Sequence, residues 1–424
     1  MKNVLIVTYF FPPFPAIGSV RLGGLAKYLP QYGWKPIVLT PKLPGKIDPV
    51  YHVVETPYED RILRLERKLN ISTKPTGKGG LKRLIFNPKG ERRPYIGKMI
   101  NIAGEVLSYP DGKRSWIPVA VKSAGKLFNT YPIEAMISSS RPESVHLIAN
   151  QIKKEYHIPW IADFRDLWSN NPYYSYSRIR NSFEKKLERK TLSCADALSI
   201  TSLPWAEDLA TIHGNARVNV IHNGFDPENY PDSRLSKKFT LTYTGVLYDG
   251  KRDPELLFMA VKNLIDEGKI VKDDLAIRFY GPLQGWLEEK IGKYHLQDVA
   301  IQYGKVARQD AISKQLESQL LLLLNWNDPK ERGTYTGKVY EYFAARRPIL
   351  SIGAPKGVLT DLLDETGAGK YAFDGDGLKN IVLGYYQEFK QRGSVRYTGR
   401  EERIDEYTHY KMAGKFAKIL DQIT

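Results

Sequence analysis

The chain has 424 residues, of which 42% are hydrophobic, and a formal net charge of +16. This length is too great for one compact core and predicts two domains of roughly 200 residues. No apolar run approaches the ~20 residues that span a bilayer, and the chain starts directly on a strand pattern, so we expect a cytoplasmic protein. The single cysteine, Cys194, excludes an internal disulfide. The positive charge favours polyanionic partners but does not distinguish nucleic acid, anionic lipid and phosphorylated substrates.

The first half of the chain alternates short buried-strand patterns with helical patterns, which predicts a parallel, doubly wound α/β domain. A strand at residues 4–9 is followed by a proline-rich loop that ends at Gly18. A helix is predicted at residues 20–31, with Ser19 as its N-cap and Gly33 as its stop. Further strands are predicted at residues 36–39, 53–55, 135–138, 160–163, 197–200 and 218–222.

A basic insertion interrupts this domain at about residues 61–100, where twelve Lys or Arg residues stand against Glu66 and Glu91. The segment surrounds a short apolar cluster at residues 81–86. Such a sequence can lie on an anionic membrane surface, which would bring the domain to a lipid-linked acceptor. A solvated loop whose charge only maintains solubility is the alternative, and the sequence leaves both open.

A turn-rich break after residue 222 predicts the boundary between domain 1–225 and domain 226–400. The second domain repeats the α/β pattern, and the last segment, 401–424, is predicted to be one amphipathic helix that rejoins the first domain. Its apolar stripe is formed by Tyr410, Ala413, Phe416, Ala417 and Leu420. Strands are predicted at residues 240–244, 276–280, 300–302, 320–324 and 349–352.

The most informative stretch follows the apolar strand at residues 320–324, where a glycine-containing turn leads into a helix that starts near Gly337. A helix N-terminus at the carboxyl edge of a parallel sheet is a natural phosphate site, and Lys338 adds a positive charge. Glu341 lies one turn further along the same face, where it could hold a sugar hydroxyl. These features fit a nucleoside diphosphate, although an ordinary strand-turn-helix with a solvated lysine has the same pattern.

Seven motifs in order resemble one family, the retaining glycosyltransferases of the GT-B fold, family 4. The motifs are YFFPPFPAIG ending at Gly18, SSRPESVH ending at His146, ADFRDLW at residues 162–168, HNGFD at 222–226, YTGVLYDGK ending at Lys251, FYG at 279–281, and GKVYEYFA starting at Gly337. The resemblance implies two Rossmann-like domains facing across a cleft, with a C-terminal helix that crosses back to the N-terminal domain. It also implies a nucleoside-diphosphate sugar as donor.

The resemblance assigns the donor site mainly to the second domain. Lys251 would hold the diphosphate, with Arg252 beside it, and backbone at Thr336, Gly337 and Lys338 would also touch it. Glu341 would accept hydrogen bonds from the ribose hydroxyls. The glycines Gly18 and Gly245 follow the first strands of the two domains, and Gly18 would let its loop approach the diphosphate.

The N-terminal domain would hold the acceptor, and His146 would approach the transferred sugar. Without the resemblance, a lone histidine is more often a packing or capping residue. Asp163, Arg165 and Asp166 end a strand at the same sheet edge and are candidates for acceptor binding. A structural ion pair is an equal alternative for these three residues.

Two positions depart from the family pattern. Gly333 stands where a glutamate is usual, which affects recognition of the sugar hydroxyls, and Val246 stands where an arginine is common. We expect Arg252 to supply the missing charge.

The sequence therefore predicts a cytoplasmic retaining glycosyltransferase that uses a UDP- or GDP-linked sugar and a saccharide or lipid-linked acceptor, in surface polysaccharide or glycoconjugate assembly, without nucleic acid. An anionic membrane surface is a further expected partner. Two alternatives stay open. A sugar-nucleotide epimerase or hydrolase on the same fold would form product without an acceptor, and a non-catalytic polyanion-binding protein would show steep salt dependence.

No metal or other cofactor is expected, because Lys251, Arg252 and Lys338 supply positive charge for the leaving diphosphate. Asp374 and Asp376 have a metal-chelating spacing, but they precede a helix and are predicted to cap it. We therefore expect the transfer activity to survive excess EDTA in a donor-consumption assay. Loss of activity in EDTA that manganese restores would contradict this mechanism.

Overall fold

The computed structural model describes residues 1–58, 109–174, 176–214, 217–227 and 233–424. The predicted insertion at residues 61–100 lies outside this part of the chain. The protein divides into two compact units. Residues Met1–Ile221 and Ala413–Thr424 form the N-terminal unit, and His222–Met412 form the C-terminal unit.

The N-terminal unit is built on a parallel sheet of seven strands in the order β3-β2-β1-β4-β5-β6-β7. Helices cover such sheets on both faces, which explains why all five residues of β5 are buried and apolar alternation is weak. The strands are β1 (Lys2–Thr8), β2 (Trp34–Pro41), β3 (Val53–Thr56), β4 (Ile133–Ser139), β5 (Trp160–Phe164), β6 (Ala197–Ile200) and β7 (Val218–Val220). The helices are α1 (Ile17–Tyr28), α2 (Ile117–Thr130), α3 (Ser144–Tyr156), α4 (Arg178–Leu192) and α5 (Leu203–Ile212).

The C-terminal unit has a parallel sheet of six strands in the order β10-β9-β8-β11-β12-β13. In its central strand β11, Leu320, Leu322 and Leu324 pack into one hydrophobic core, whereas Leu321 and Leu323 pack into another on the opposite face. The strands are β8 (Phe239–Thr244), β9 (Leu275–Tyr280), β10 (Ala300–Gly304), β11 (Leu320–Leu324), β12 (Ile349–Ile352) and β13 (Gly369–Ala372). The helices are α6 (Glu255–Asp266), α7 (Gly285–Lys293), α8 (Arg308–Leu316), α9 (Gly337–Ala345), α10 (Val358–Thr366), α11 (Gly375–Arg392), α12 (Glu401–Ile404) and α13 (His409–Ile423). Helix α13 begins in this unit and continues into the N-terminal unit.

The prediction of two doubly wound α/β domains is confirmed by these two parallel sheets. Asp374 is the N-cap of α11, and its carboxylate accepts a hydrogen bond from the Gly377 N–H at 2.7 Å, as the capping hypothesis requires. Among the described residues, no helix is long and apolar enough to cross a membrane.

The first helix begins earlier than predicted. α1 starts at Ile17, with Ala16 as its N-cap, so that Ser19 lies inside the helix instead of capping it. Gly33 stops the following 3₁₀ turn with a φ of 84°, which confirms its predicted role.

The predicted single helix at the C-terminus is wrong, because the chain is interrupted before α13. Thr408 is extended and forms a parallel bridge with Phe225, and its hydroxyl accepts a bond from the Lys411 N–H at 3.4 Å. Ala413, Phe416, Ala417 and Leu420 are buried as predicted. Tyr410 is 42% exposed because it lies in the first turn of α13, before the segment that belongs to the N-terminal unit.

The loops after β8 and β9 approach each other so closely that Gly281 has no room for a side chain. A Cβ atom there would overlap the Gly245 carbonyl oxygen, while the Gly281 N–H is held by Gly304 O at 2.9 Å. We predict that Gly281→Ala lowers the free energy of unfolding by about 2–3 kcal/mol in urea denaturation. As the matched control, Gly384→Ala in an exposed, open position of α11 should stabilise by about 0.5–1 kcal/mol. Equal effects of the two substitutions would contradict the close approach.

Candidate active site

The carboxyl ends of the parallel strands bring the predicted donor residues to one edge of the C-terminal unit. The loop after β8 is tied to the end of β9, because the Gly245 N–H donates to Tyr280 O at 2.7 Å. β11 pairs with β8 on the other side, so the loop containing Trp326 comes to the same edge. Three loops therefore meet where the sequence predicts a diphosphate.

Lys338 lies directly over Gly245. Gly245 has a φ of 134°, and a Cβ atom at this position would overlap the Lys338 ammonium. The Lys338 Nζ is 5.5 Å from the centre of the Tyr243 ring. Burial and the nearby Arg252 charge lower the pKa of Lys338 to about 8, against the opposing effect of Glu341. The glycine thus makes room for a half-buried amine.

The predicted helix start is present, because α9 begins at Gly337 with Thr336 as its N-cap. The Thr336 hydroxyl accepts a bond from the Lys338 N–H at 3.3 Å, and the Val339 N–H donates to Thr336 O at 3.1 Å. Both amides are therefore paired within the first turn of α9, because Thr336 caps the helix with its side chain and its carbonyl group.

Lys251 and Arg252 follow a tight turn in which Tyr248, Asp249 and Gly250 all have positive φ. The Lys251 ammonium lies 4.1 Å from the centre of the Trp326 ring, and the Arg252 guanidinium lies 4.6 Å from that of Tyr248. Both cations therefore rest on aromatic faces. Arg252 is also close enough to Lys338 to lower its pKa.

Glu341 forms an ion pair with Arg308, with 3.4 Å between its Oε1 and the arginine Nη2. Both side chains are accessible, at 33% for Glu341 and 57% for Arg308. Such an exposed pair is weak, so the carboxylate stays available to a ligand. Sequence reasoning missed both Arg308 and Trp326, although Trp326 lies in the loop after β11 and Arg308 begins the helix after β10.

In the N-terminal unit, Asp163 is fully buried in a network of hydrogen bonds. Its Oδ1 accepts from Arg21 at 2.8 Å and from Ser199 at 2.9 Å, and its Oδ2 accepts from Arg21 at 3.1 Å and from Ser139 at 2.7 Å. Burial acts to raise the pKa of Asp163, but Arg21 and the two hydroxyls hold it below the ordinary value. Both carboxylate oxygens of Asp163 are already engaged. The structural ion pair therefore replaces the predicted direct contact of Asp163 with the acceptor.

Arg165 occupies the space that the sequence assigned to a diphosphate at Gly18. Its Nε donates to Ser140 O at 2.5 Å and its Nη2 to Arg141 O at 2.9 Å. A Cβ atom on Gly18 would overlap this guanidinium. The absence of a side chain at Gly18 thus admits Arg165. Asp166, the third predicted acceptor residue, is half-buried beside it.

His146 is buried in α3, with no accessible surface. Its Nδ1 is 2.8 Å from the Ser138 hydroxyl, which also accepts a bond from Trp160 Nε1 at 2.7 Å. Its Nε2 is buried without a hydrogen-bond partner among the described residues. The centre of the His146 ring lies 4.6 Å from the centre of the Phe164 ring. The packing role therefore replaces the predicted direct approach of His146 to the sugar.

The comparisons with known proteins agree with this architecture. The family model Glycosyltransferase Family 4 matches residues 84–229. Sucrose-phosphate synthase from Thermosynechococcus elongatus has a similar structure, with a TM-score of 0.64 at 11% identity over 100% of this chain and 99% of that chain. HepE from Anabaena, solved with UDP and glucose, has a TM-score of 0.60 at 12% identity over 100% of both chains. A mutant of TarM from S. aureus has a TM-score of 0.57 at 9% identity over 99% of this chain and 100% of that chain. No curated protein sequence matches the chain.

The protein has the GT-B fold, as the similar structures and the two parallel sheets show. Over residues 84–229 the chain is similar to glycosyltransferase family 4, in agreement with the resemblance drawn from the motifs.

The burial of His146 has a consequence for stability at low pH. Burial lowers the pKa of His146 to about 3, with Asp163 opposing and Arg165 adding to the shift. Below an unfolded pKa of ~6.5, only the unfolded chain gains this proton, so stability falls with pH by about 1.4 kcal/mol per pH unit. We predict that His146→Gln lowers the slope of the unfolding free energy against pH, between about pH 6.5 and 4, by the contribution of one proton.

The exposed His157, which caps the C-terminus of α3, provides the control for this measurement. His157→Asn changes an exposed side chain of the same helix end and should keep the wild-type slope. Identical slopes in the wild type and His146→Gln would show that His146 does not stay neutral in the folded protein.

Proposed function

We propose that this protein is a retaining glycosyltransferase that moves a sugar from a nucleoside-diphosphate donor to a hydroxyl of a saccharide or lipid-linked acceptor. The observation that carries the proposal is the gathering of Lys251, Arg252, Lys338 and Glu341 at one sheet edge of the C-terminal unit. Three cations and one accessible carboxylate suit a diphosphate joined to a ribose.

The three cations also suit the chemistry of the leaving group. Breaking the bond between sugar and diphosphate places negative charge on the departing phosphate, which fixed positive groups stabilise. The lowered pKa of Lys338 fits this role, because an arriving anion opposes the effects of burial and of Arg252 and favours the protonated amine. Because these cations would stabilise the negative charge on the departing phosphate, we propose that the reaction needs no divalent metal or other cofactor.

Retention of configuration fits a mechanism in which the acceptor attacks from the leaving-group face and the departing phosphate takes its proton. No protein nucleophile is then needed. Arg165 and Asp166 are the candidates for acceptor contact in the N-terminal unit, and the carbonyl oxygens of Ser140 and Arg141 hold the Arg165 guanidinium in place. Gly333 has no carboxylate to bind the sugar hydroxyls. Glu341, which we assign to the ribose hydroxyls, is therefore the acidic side chain that we assign to the donor.

UDP is the first nucleotide to test, because HepE was solved with UDP, with UDP and glucose, and with UDP-glucose. We place the activity in surface polysaccharide or glycoconjugate assembly, at the cytoplasmic face of the plasma membrane. A thermal-shift screen against UDP- and GDP-linked sugars identifies the donor, and transfer to acceptor is then separated from hydrolysis by product analysis. A protein that no nucleotide sugar stabilises would contradict the proposal.

We predict that Lys251→Ala and Glu341→Ala each lower kcat/KM for the accepted donor by about 100-fold or more while the melting temperature without ligand stays unchanged. Both side chains lie at an accessible edge and not in a core. Lys262→Ala in a half-buried position of α6 and Glu289→Ala in an exposed position of α7 remove the same charges from the same unit and should keep wild-type kinetics. Near-wild-type turnover in both site variants would show that the donor site is elsewhere.

A further inference from the structure

Helix α4 separates its charges between two faces. Its two glutamates point inward and are fully engaged there. Glu184 accepts bonds from Trp168 Nε1 at 2.8 Å and from Arg180 Nε at 2.6 Å. Glu188 accepts from the Ser169 N–H at 3.0 Å. Both carboxylates are fully buried, so neither contributes negative charge to the solvent-facing side of the helix.

The outward side of α4 combines cations with large apolar side chains. Ile179 is 73% exposed and Phe183 is 59% exposed. With 100° per residue, these two positions and Lys186 and Lys190 fall within an arc of about 60°. We call the exposed surface the α4 face, and its members are Arg178, Ile179, Ser182, Phe183, Lys186, Arg189 and Lys190.

The cations of the α4 face are largely uncompensated. Among the described residues, Arg178, Lys186 and Lys190 form no ion pair, and Arg189 donates through Nε to the backbone oxygen of Ile212 at 3.0 Å. Four positive charges therefore lie within about 18 Å along the helix axis, with no exposed acid on the same helix. A surface of this charge attracts an extended anion.

We propose that the α4 face docks the protein on an anionic phospholipid bilayer. The cations would lie among the lipid phosphates, while Ile179 and Phe183 enter the boundary between headgroups and acyl chains. The two apolar side chains favour a bilayer over nucleic acid, because a bilayer offers an apolar phase beside its charges. This surface is distinct from residues 61–100, and its proposed role does not depend on the transferase activity.

The experiment is cosedimentation of the full-length protein with vesicles of phosphatidylcholine containing 30% phosphatidylserine, at about 50 mM salt. Wild type is expected to bind these vesicles, to release in about 0.5 M salt, and to bind pure phosphatidylcholine vesicles far more weakly. Arg178→Ser/Lys186→Ser/Lys190→Ser should lower the partition coefficient by about 100-fold. Ile179→Ser/Phe183→Ser should lower it by about tenfold, because the inserting groups are lost.

Two control variants keep the comparison specific. Lys122→Ser/Lys126→Ser/Lys154→Ser removes three exposed cations from α2 and α3 of the same unit, and Val50→Ser/Leu203→Ser removes two exposed apolar side chains. Both should bind like wild type, and melting temperatures of all variants should match because the changed residues are exposed.

Three outcomes would overturn the proposal. Wild type that does not bind anionic vesicles excludes the docking surface. Undiminished binding by the α4 charge variant, together with loss in a variant with Lys82, Arg83, Arg92 and Arg93 changed to Ser, assigns membrane binding to residues 61–100 instead. Undiminished binding by Ile179→Ser/Phe183→Ser shows a general polyanion surface without insertion, which equal retention on single-stranded DNA would identify as a nucleic-acid surface.

Discussion

The geometry of the donor edge depends on how closely the backbones that follow β8 and β9 can approach each other. Gly281 allows this approach, since a Cβ atom there would overlap the Gly245 carbonyl oxygen. The space left above Gly245 is filled by the amine of Lys338, which burial and Arg252 destabilise in its charged form. Gly281 thus lets the two backbones meet, and Gly245 leaves room for an amine whose protonated form an anionic ligand would stabilise.

A second constraint organises the N-terminal unit. Asp163 at the end of β5 joins Ser139 of β4, Ser199 of β6 and Arg21 of α1 through one buried carboxylate. Every hydrogen-bonding position of the carboxylate is used, and Arg21 also donates to Ile221 O at 3.1 Å. Such a network fixes three strands and a helix in register, because breaking any bond leaves a buried charge without compensation. Arg165 extends from this edge and lies against Gly18.

Charged side chains are distributed unevenly over the described residues. In the C-terminal unit many cations are paired, as Lys290 is with Asp253 and Glu255, and contribute little field beyond the surface. On α4 the acids are buried and the cations are exposed, so the helix presents a single sign of charge. Exposed charges of one sign attract a partner of opposite charge, whereas paired charges interact mainly within the protein.

From the sequence alone, the α/β class, the order of the motifs and the strands other than β13 could be predicted, with bounds close to the observed ones, because short continuous apolar runs such as residues 320–324 favour a sheet buried on both faces. The sequence also placed Lys251, Lys338 and Glu341 at one sheet edge, since strand ends of a parallel sheet converge. Which groups meet over long separations along the chain became clear only from the folded structure. Arg165 over Gly18, Lys338 over Gly245, Trp326 under Lys251 and the enclosure of His146 depend on packing between distant segments, which local patterns do not encode. The break before α13 was missed for the same reason, because the bridge from Thr408 to Phe225 joins residues far apart in the chain.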